Sequence, residues 1–138
     1  MRKNVLVDTC MWSLAFRGTN PREKNVAEEL TNLIDENRAK IIGPIRQELL
    51  SGYSEFARYE KLRNQLRAFP NEPIVDADYE AAAEYSNLCR KKGIQGSHID
   101  FLICAVSTRL NLQIYTNDKD FMLYKDRLPI SLYGERFL

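Results

Sequence analysis

The stretch Val5-Leu6-Val7-Asp8-Thr9 decides how the rest of the chain is read. Three apolar residues follow Arg2, Lys3 and Asn4 and stop at a carboxylate. A short apolar run of this kind reads as a buried strand. In open α/β sheets, ligands bind just beyond the carboxyl ends of the strands. A charge that closes a buried strand is costly unless something satisfies it. Whether other acids converge on Asp8 is therefore the question for the remaining residues.

A chain of 138 residues fits a single domain, here residues 1–138. With 44% hydrophobic and 28% charged residues it has material for a core and does not read as disordered. Lys plus Arg is 20 and Asp plus Glu is 19, a net charge of +1. Composition thus offers no general attraction for nucleic acid, and any such attraction must come from where charges sit. Cys10, Cys89 and Cys104 are odd in number and far apart, which excludes a close-spaced zinc set and disfavours a disulfide framework. A reducing cytoplasm is the expected compartment. Arg2 and Lys3 precede an apolar run as in signal peptides, but Asp8 ends that run too early for a leader or a membrane span.

Working outward, Met11 to Phe16 reads as a short helix closed by Arg17-Gly18, with Thr19-Asn20-Pro21 opening a loop. Val26, Leu30, Leu33 and Ile34 recur at helical spacing between Arg22 and Glu36. Lys40-Ile41-Ile42 is a second strand, and Gly43-Pro44 opens a helix that ends at Ser51-Gly52. Residues 54–69 carry Phe56, Tyr59, Leu62, Leu66 and Phe69 on one side of a helix. Ile74-Val75 is read as a third strand, and Asp76 or Asp78 as the cap of a helix from about Tyr79 to Lys92. Ser97 with Asp100 forms a capping box for an apolar helix from His98 to Leu110. Gln113-Ile114-Tyr115-Thr116 is a fourth strand, and Pro129 to Tyr133 supplies a last one. Strands alternating with helices predict a mostly parallel sheet covered on both faces, a three-layer sandwich of order about 3-2-1-4-5. Strands 1 and 4 are then neighbours at the switch point, so Asp8 and Asp118 face the same crevice.

Four acids fall at element ends: Asp8, Glu48, Asp100 and Asp118. Taken singly, Asp100 is a capping acid, Asp118 and Asp120 are ordinary turn residues, and Glu48 is a solvated helix residue. Taken together, clustered carboxylates would raise one another's pKa values unless a cation neutralised them. Mg²⁺ and Mn²⁺ favour oxygen ligands, activate water and neutralise charge developing on a phosphate.

Val7-Asp8-Thr9 with Trp12, Gln47-Glu48-Leu49-Leu50-Ser51-Gly52, Ile99-Asp100-Phe101-Leu102-Ile103-Cys104-Ala105 and Thr116-Asn117-Asp118-Lys119-Asp120-Phe121 resemble the motifs of PIN-domain ribonucleases. The nearest branch is the VapC-type toxins of type II toxin–antitoxin pairs. The resemblance covers nearly the whole chain in the right order. It implies a PIN-like fold and an endoribonuclease dependent on Mg²⁺ or Mn²⁺, the toxin of a pair that inhibits translation. Asp8, Asp100 and Asp118 would hold metal, and Glu48 would complete the acidic pocket. Thr116, Thr9 and Asp120 would support it. A cognate antitoxin and a homodimer are the implied protein partners, with residues 54–69 forming part of the antitoxin groove. Cys10 departs from the pattern, standing where a small hydroxyl residue is frequent.

Arg46, half a turn from Glu48, is a candidate phosphate contact for RNA. Arg90-Lys91-Lys92 reads equally as a basic stripe or as a solvated helix end. His98 is the only histidine and supports no triad. Trp12 and Phe16 are candidates for base stacking, with core packing as the plainer role. The rival function is a non-catalytic PIN-like module that binds RNA or protein. An aspartyl phosphatase would need an acid two residues after Asp8, where Cys10 stands.

Overall fold

β1 (Val5–Val7) runs through the centre of the molecule with all three side chains fully buried. A computed structural model of the protein describes residues 2–17 and 20–134. After β1 come α1 (Thr9–Arg17), α2 (Pro21–Asp35), β2 (Ala39–Lys40), α3 (Gly43–Ser51) and α4 (Phe56–Leu66). These are followed by α5 (Asp76–Lys91), α6 (His98–Arg109), β3 (Gln113–Tyr115) and α7 (Asp120–Lys125). β1 pairs in parallel with both neighbours, giving the order β2-β1-β3. Val5 lies opposite Ala39 and Gln113, and Val7 lies opposite Tyr115. Parallel neighbours require long crossovers, which α1–α2 and α3–α6 supply. α1 packs on α2 and α3, and α5 packs on α6.

This is the expected α/β fold with a parallel sheet and flanking helices, but the sheet is narrower than five strands. The outer positions hold single parallel bridges, Ile41 with Asn71 and Ile114 with Leu132. Leu132 lies within the segment expected as the last strand, whereas Asn71 lies before the Ile74-Val75 run expected as the third. Pro70 and Pro73 flank Asn71 and Pro129 precedes Leu132. A proline offers no N–H to a ladder, so Pro70 cannot extend the bridge at Asn71 beyond the Glu72 N–H that donates to Ile41. Ile74-Val75 forms no strand. Val75 instead caps α5, which starts at Asp76 rather than near Tyr79, and the Asp78 carboxylate accepts the Val75 N–H at 3.0 Å. The helix expected over 54–69 is trimmed to α4. Gly18, expected to help close the first helix, and Thr19, expected to open a loop, lie outside the described residues.

Local chemistry sets the helix ends. The Asn20 side chain accepts the Glu23 N–H at 2.9 Å, with Pro21 in the first turn of α2. Three helices end on a left-handed residue: Asn37 (φ 57°), Gly93 (φ 73°) and Asn111 (φ 55°). After each, a main-chain N–H reaches back five residues: Arg38 to Leu33 (2.8 Å), Ile94 to Cys89 (2.9 Å) and Leu112 to Ser107 (2.8 Å). These are Schellman closures. The ones at Asn37 and Asn111 turn the chain directly into β2 and β3.

α6 is buried continuously from Phe101 to Ser107, as its apolar sequence implied. A fully buried aliphatic or aromatic side chain contributes about 2 kcal/mol through the water it excludes. Arg109 clamps α6 to α5: its Nε and Nη2 donate to Asp78 at 2.8 and 2.9 Å, and Nη2 also donates to the Pro73 carbonyl. Burial works to raise the Asp78 pKa. The Arg109 and Val75 donors outweigh it and hold the carboxyl below its ordinary value.

Candidate active site

Asp8 is where β1, β3 and α1 meet. Its N–H donates to the Tyr115 carbonyl at 2.9 Å, extending the β1–β3 ladder by one residue. Its own carbonyl accepts from Met11 and Trp12 and so starts α1. The carboxylate therefore stands at a helix N-terminus, where negative charge is favoured. Oδ1 accepts the Thr9 N–H at 2.8 Å and Oδ2 accepts the Thr116 hydroxyl at 2.9 Å. The Cys10 Sγ lies 3.7 Å from Oδ2 and 3.6 Å from Thr116 Oγ1. The thiol makes longer, weaker contacts than a hydroxyl would.

Thr116 follows β3 and is buried. Its oxygen also accepts the Asp118 N–H at 3.0 Å. One hydroxyl, 108 positions along the chain from Asp8, therefore joins the Asp8 side chain to the backbone of Asp118. Asp118 Oδ1 accepts the Asp120 N–H at 2.9 Å, an Asx turn that leads into α7. Asp120 itself is exposed in the first turn of α7, which favours the helix-end role for its carboxylate.

Asp100 serves both as a capping-box residue and as a member of this group. Ser97 Oγ accepts its N–H at 3.1 Å. Its carboxylate is half-buried, accepts the Tyr124 hydroxyl at 2.8 Å, and feels the neighbouring acids. Burial raises its pKa; donors from Tyr124 and Ser97 oppose that, and the Asp118 charge adds to it, for a net rise. Burial pushes Asp8 from 3.8 up to about 6 against the donors from Thr116 and Thr9, with the Asp100 charge contributing. Asp8, Asp100 and Asp118 thus form an electrostatically linked row. Burial and the Asp8 charge push the Cys10 thiol up to about 11, so it stays protonated and is no nucleophile.

Among the described residues, no three His, Cys, Asp or Glu side chains are already grouped as a metal cage. The fit to a cation rests on donor chemistry. The row supplies hard carboxylate oxygens that repel one another when charged. Thr9, the residue after Asp8, has a buried hydroxyl with no hydrogen-bond partner. These donors suit Mg²⁺ or Mn²⁺, which keep several waters and take few protein ligands.

Glu48 is exposed on α3, and no hydrogen bond or ion pair among the described residues ties it to the row. Arg46 does not stand free for phosphate. Its Nε donates to Asn71 Oδ1 (2.9 Å), Nη1 to the Leu66 carbonyl (3.0 Å) and Nη2 to the Phe69 carbonyl. It fastens the turn after α4 to α3. His98 is exposed and borders a cleft of about 340 Å³ between α5 and α6, which none of the acids lines. Arg90, Lys91 and Lys92 are exposed at the end of α5. Trp12 is buried, donates its Nε1–H to the Val7 carbonyl at 3.0 Å, and packs on Phe16 and Phe69. A second cleft, of roughly 540 Å³, lies between α1 and α4, with Phe16, Tyr53 and Leu62 beside Arg17, Arg58 and Lys61.

Two contributors escaped the sequence reading. Neither Tyr124 nor Gly96 lies in a motif that points to the site. Only docking of α7 on the start of α6 brings them to Asp100.

A parallel sheet with carboxylates gathered at its carboxyl edge defines an α/β domain whose acidic site suits a hard cation. The chain belongs to the PIN domain family, which it matches over residues 5–126. No curated protein is significantly similar to it. Among solved structures it is similar to FitAcB from Neisseria gonorrhoeae, at 20% identity over 97% of this chain and 99% of that one, with a TM-score of 0.76. VapBC2 from Rickettsia felis, bound to a fragment of its promoter DNA, aligns at 18% identity over 94% and 96% of the two chains, with a TM-score of 0.68. A toxin–antitoxin complex from Klebsiella pneumoniae aligns at 19% identity over 86% and 90%, with a TM-score of 0.59. At such identities the likeness is one of fold. No helix among the described residues is long and apolar enough to cross a membrane.

Proposed function

We propose that this protein is a metal-dependent endoribonuclease and the toxin of a VapBC-type toxin–antitoxin pair, acting in the cytoplasm to inhibit translation. The observation that carries the reading is the linkage of Asp8, Asp100 and Asp118 at the carboxyl edge of the sheet. These three residues are the proposed ligands of Mg²⁺ or Mn²⁺. Such an ion, when bound, activates water and neutralises charge developing on the phosphodiester. Thr116 orients Asp8 and fixes the backbone of Asp118, and the Thr9 hydroxyl is the spare donor of the pocket. Glu48 contributes negative charge from the rim. Asp120 supports the turn that carries Asp118.

RNA is the proposed substrate. Family membership supports nucleic-acid hydrolysis as the class of reaction. The complexes among its structural neighbours support a cognate antitoxin. The cleft between α1 and α4 pairs apolar and aromatic side chains with Arg17, Arg58 and Lys61, a surface suited to an antitoxin segment. A homodimer is proposed on family grounds.

The test is cleavage of a labelled pool of cellular RNA by purified protein, with and without Mn²⁺ or Mg²⁺, beside Asp8→Asn. Cleavage that needs the metal and is absent in the variant is expected. No metal-dependent cleavage across tRNA, rRNA and mRNA would favour a binding module instead.

A further inference from the structure

We infer that Tyr124, seated against Gly96, is a positioning residue for Asp100, holding its carboxylate in place before any ion binds. The inference rests on the proposed role of Asp100 as a metal ligand. Asp100 is held from two sides. Ser97 secures it from the helix cap, and the Tyr124 hydroxyl donates to Oδ2 at 2.8 Å from α7. The phenol is fully buried, and a buried hydroxyl seeks an acceptor.

The ring has little room to leave this position. Its centroid lies 5.1 Å from that of Phe101 and 5.1 Å from that of Phe121, both also buried. The remaining side is closed by Gly96. A methyl group there would land on the Tyr124 hydroxyl oxygen, with Cζ at 2.8 Å and Phe101 Cε2 at 3.0 Å. φ at Gly96 is not in the left-handed region, so the glycine is needed for space and not for backbone conformation. Gly96, Phe101 and Phe121 thus aim one hydroxyl at one carboxylate. Partners of this kind set the orientation of metal ligands, and removing one commonly weakens metal affinity about 10- to 100-fold.

Calorimetric titration of Mn²⁺ into metal-stripped protein tests the inference. Tyr124→Phe keeps the ring and deletes only the donor. It is expected to weaken Mn²⁺ binding roughly tenfold, and to raise by the same factor the Mn²⁺ concentration for half-maximal RNA cleavage. Tyr133→Phe makes the same deletion at another phenol–carboxylate pair, Tyr133 with Glu29, and is expected to bind Mn²⁺ as the wild type does. Gly96→Ala should reproduce the loss; if it fails to fold, Tyr124→Phe decides alone. Wild-type affinity in Tyr124→Phe would overturn the positioning role while leaving the metal site standing. Absence of Mn²⁺ binding by the wild type would overturn both.

Discussion

Replacing Asp8 by Asn should stabilise the protein when metal is absent, and should do so only above mildly acidic pH. Burial, with the Asp100 charge behind it, moves this carboxyl from 3.8 to about 6 in the folded state. That difference corresponds to about 3 kcal/mol in favour of the neutral form, already net of the donors from Thr116 and Thr9 that the charged form enjoys. The folded state binds the proton more tightly than the unfolded chain. Its advantage is therefore fully present below pH 3.8 and is lost as pH rises through about 6. Asn mimics the neutral form at every pH. Melting curves in chelator should coincide for the two proteins near pH 4, diverge up to pH 6 and stay parallel above it. For a chain of this size about 3 kcal/mol is worth roughly 10 °C in Tm. Mn²⁺ should raise the wild-type Tm and leave the variant nearly unmoved, closing the gap from the other side. A variant no more stable than wild type at pH 7.5 in chelator, or a gap that ignores pH, would refute the claim that Asp8 carries an uncompensated charge.

Thr116→Val keeps the shape of the side chain but removes the donor to Asp8 and the acceptor for the Asp118 N–H. It should cost about 1–3 kcal/mol in thermal or urea unfolding at neutral pH and reduce cleavage; unchanged stability would show the hydroxyl to be dispensable. Arg46→Ala removes three donors to Asn71, Leu66 and Phe69 and should cost about 2–3 kcal/mol, read in the same melts, without altering the salt dependence of RNA binding. Normal stability with a shallower salt slope would return Arg46 to the role of phosphate contact.

Local signals were readable where local chemistry sets the outcome. The apolar run ending at Asp8 is a strand because nothing in it tolerates water. Ser97 caps α6 because its hydroxyl finds an N–H three residues on. Asn37, Gly93 and Asn111 close helices because they accept a left-handed backbone. The motifs around Asp8, Glu48, Asp100 and Asp118 pointed to the right family through their order along the chain.

Features that depend on distant docking were not readable. The expected strand at Ile74-Val75 is absent, a single bridge forms at Asn71 instead, and Val75 becomes a helix cap, because a strand exists only where a partner offers a ladder. Arg46 is fastened to the turn after α4 because that turn leaves carbonyls within its reach. Glu48 is exposed on α3 and makes no hydrogen bond to the row among the described residues, because its helix presents it to solvent. The sequence by itself determined which acids the protein has and which segments bear them. Only the tertiary structure decided that Thr116 would answer Asp8, that Tyr124 would answer Asp100, and that burial would raise both acids, because burial and cross-chain hydrogen bonds belong to the packed molecule and not to any segment of it.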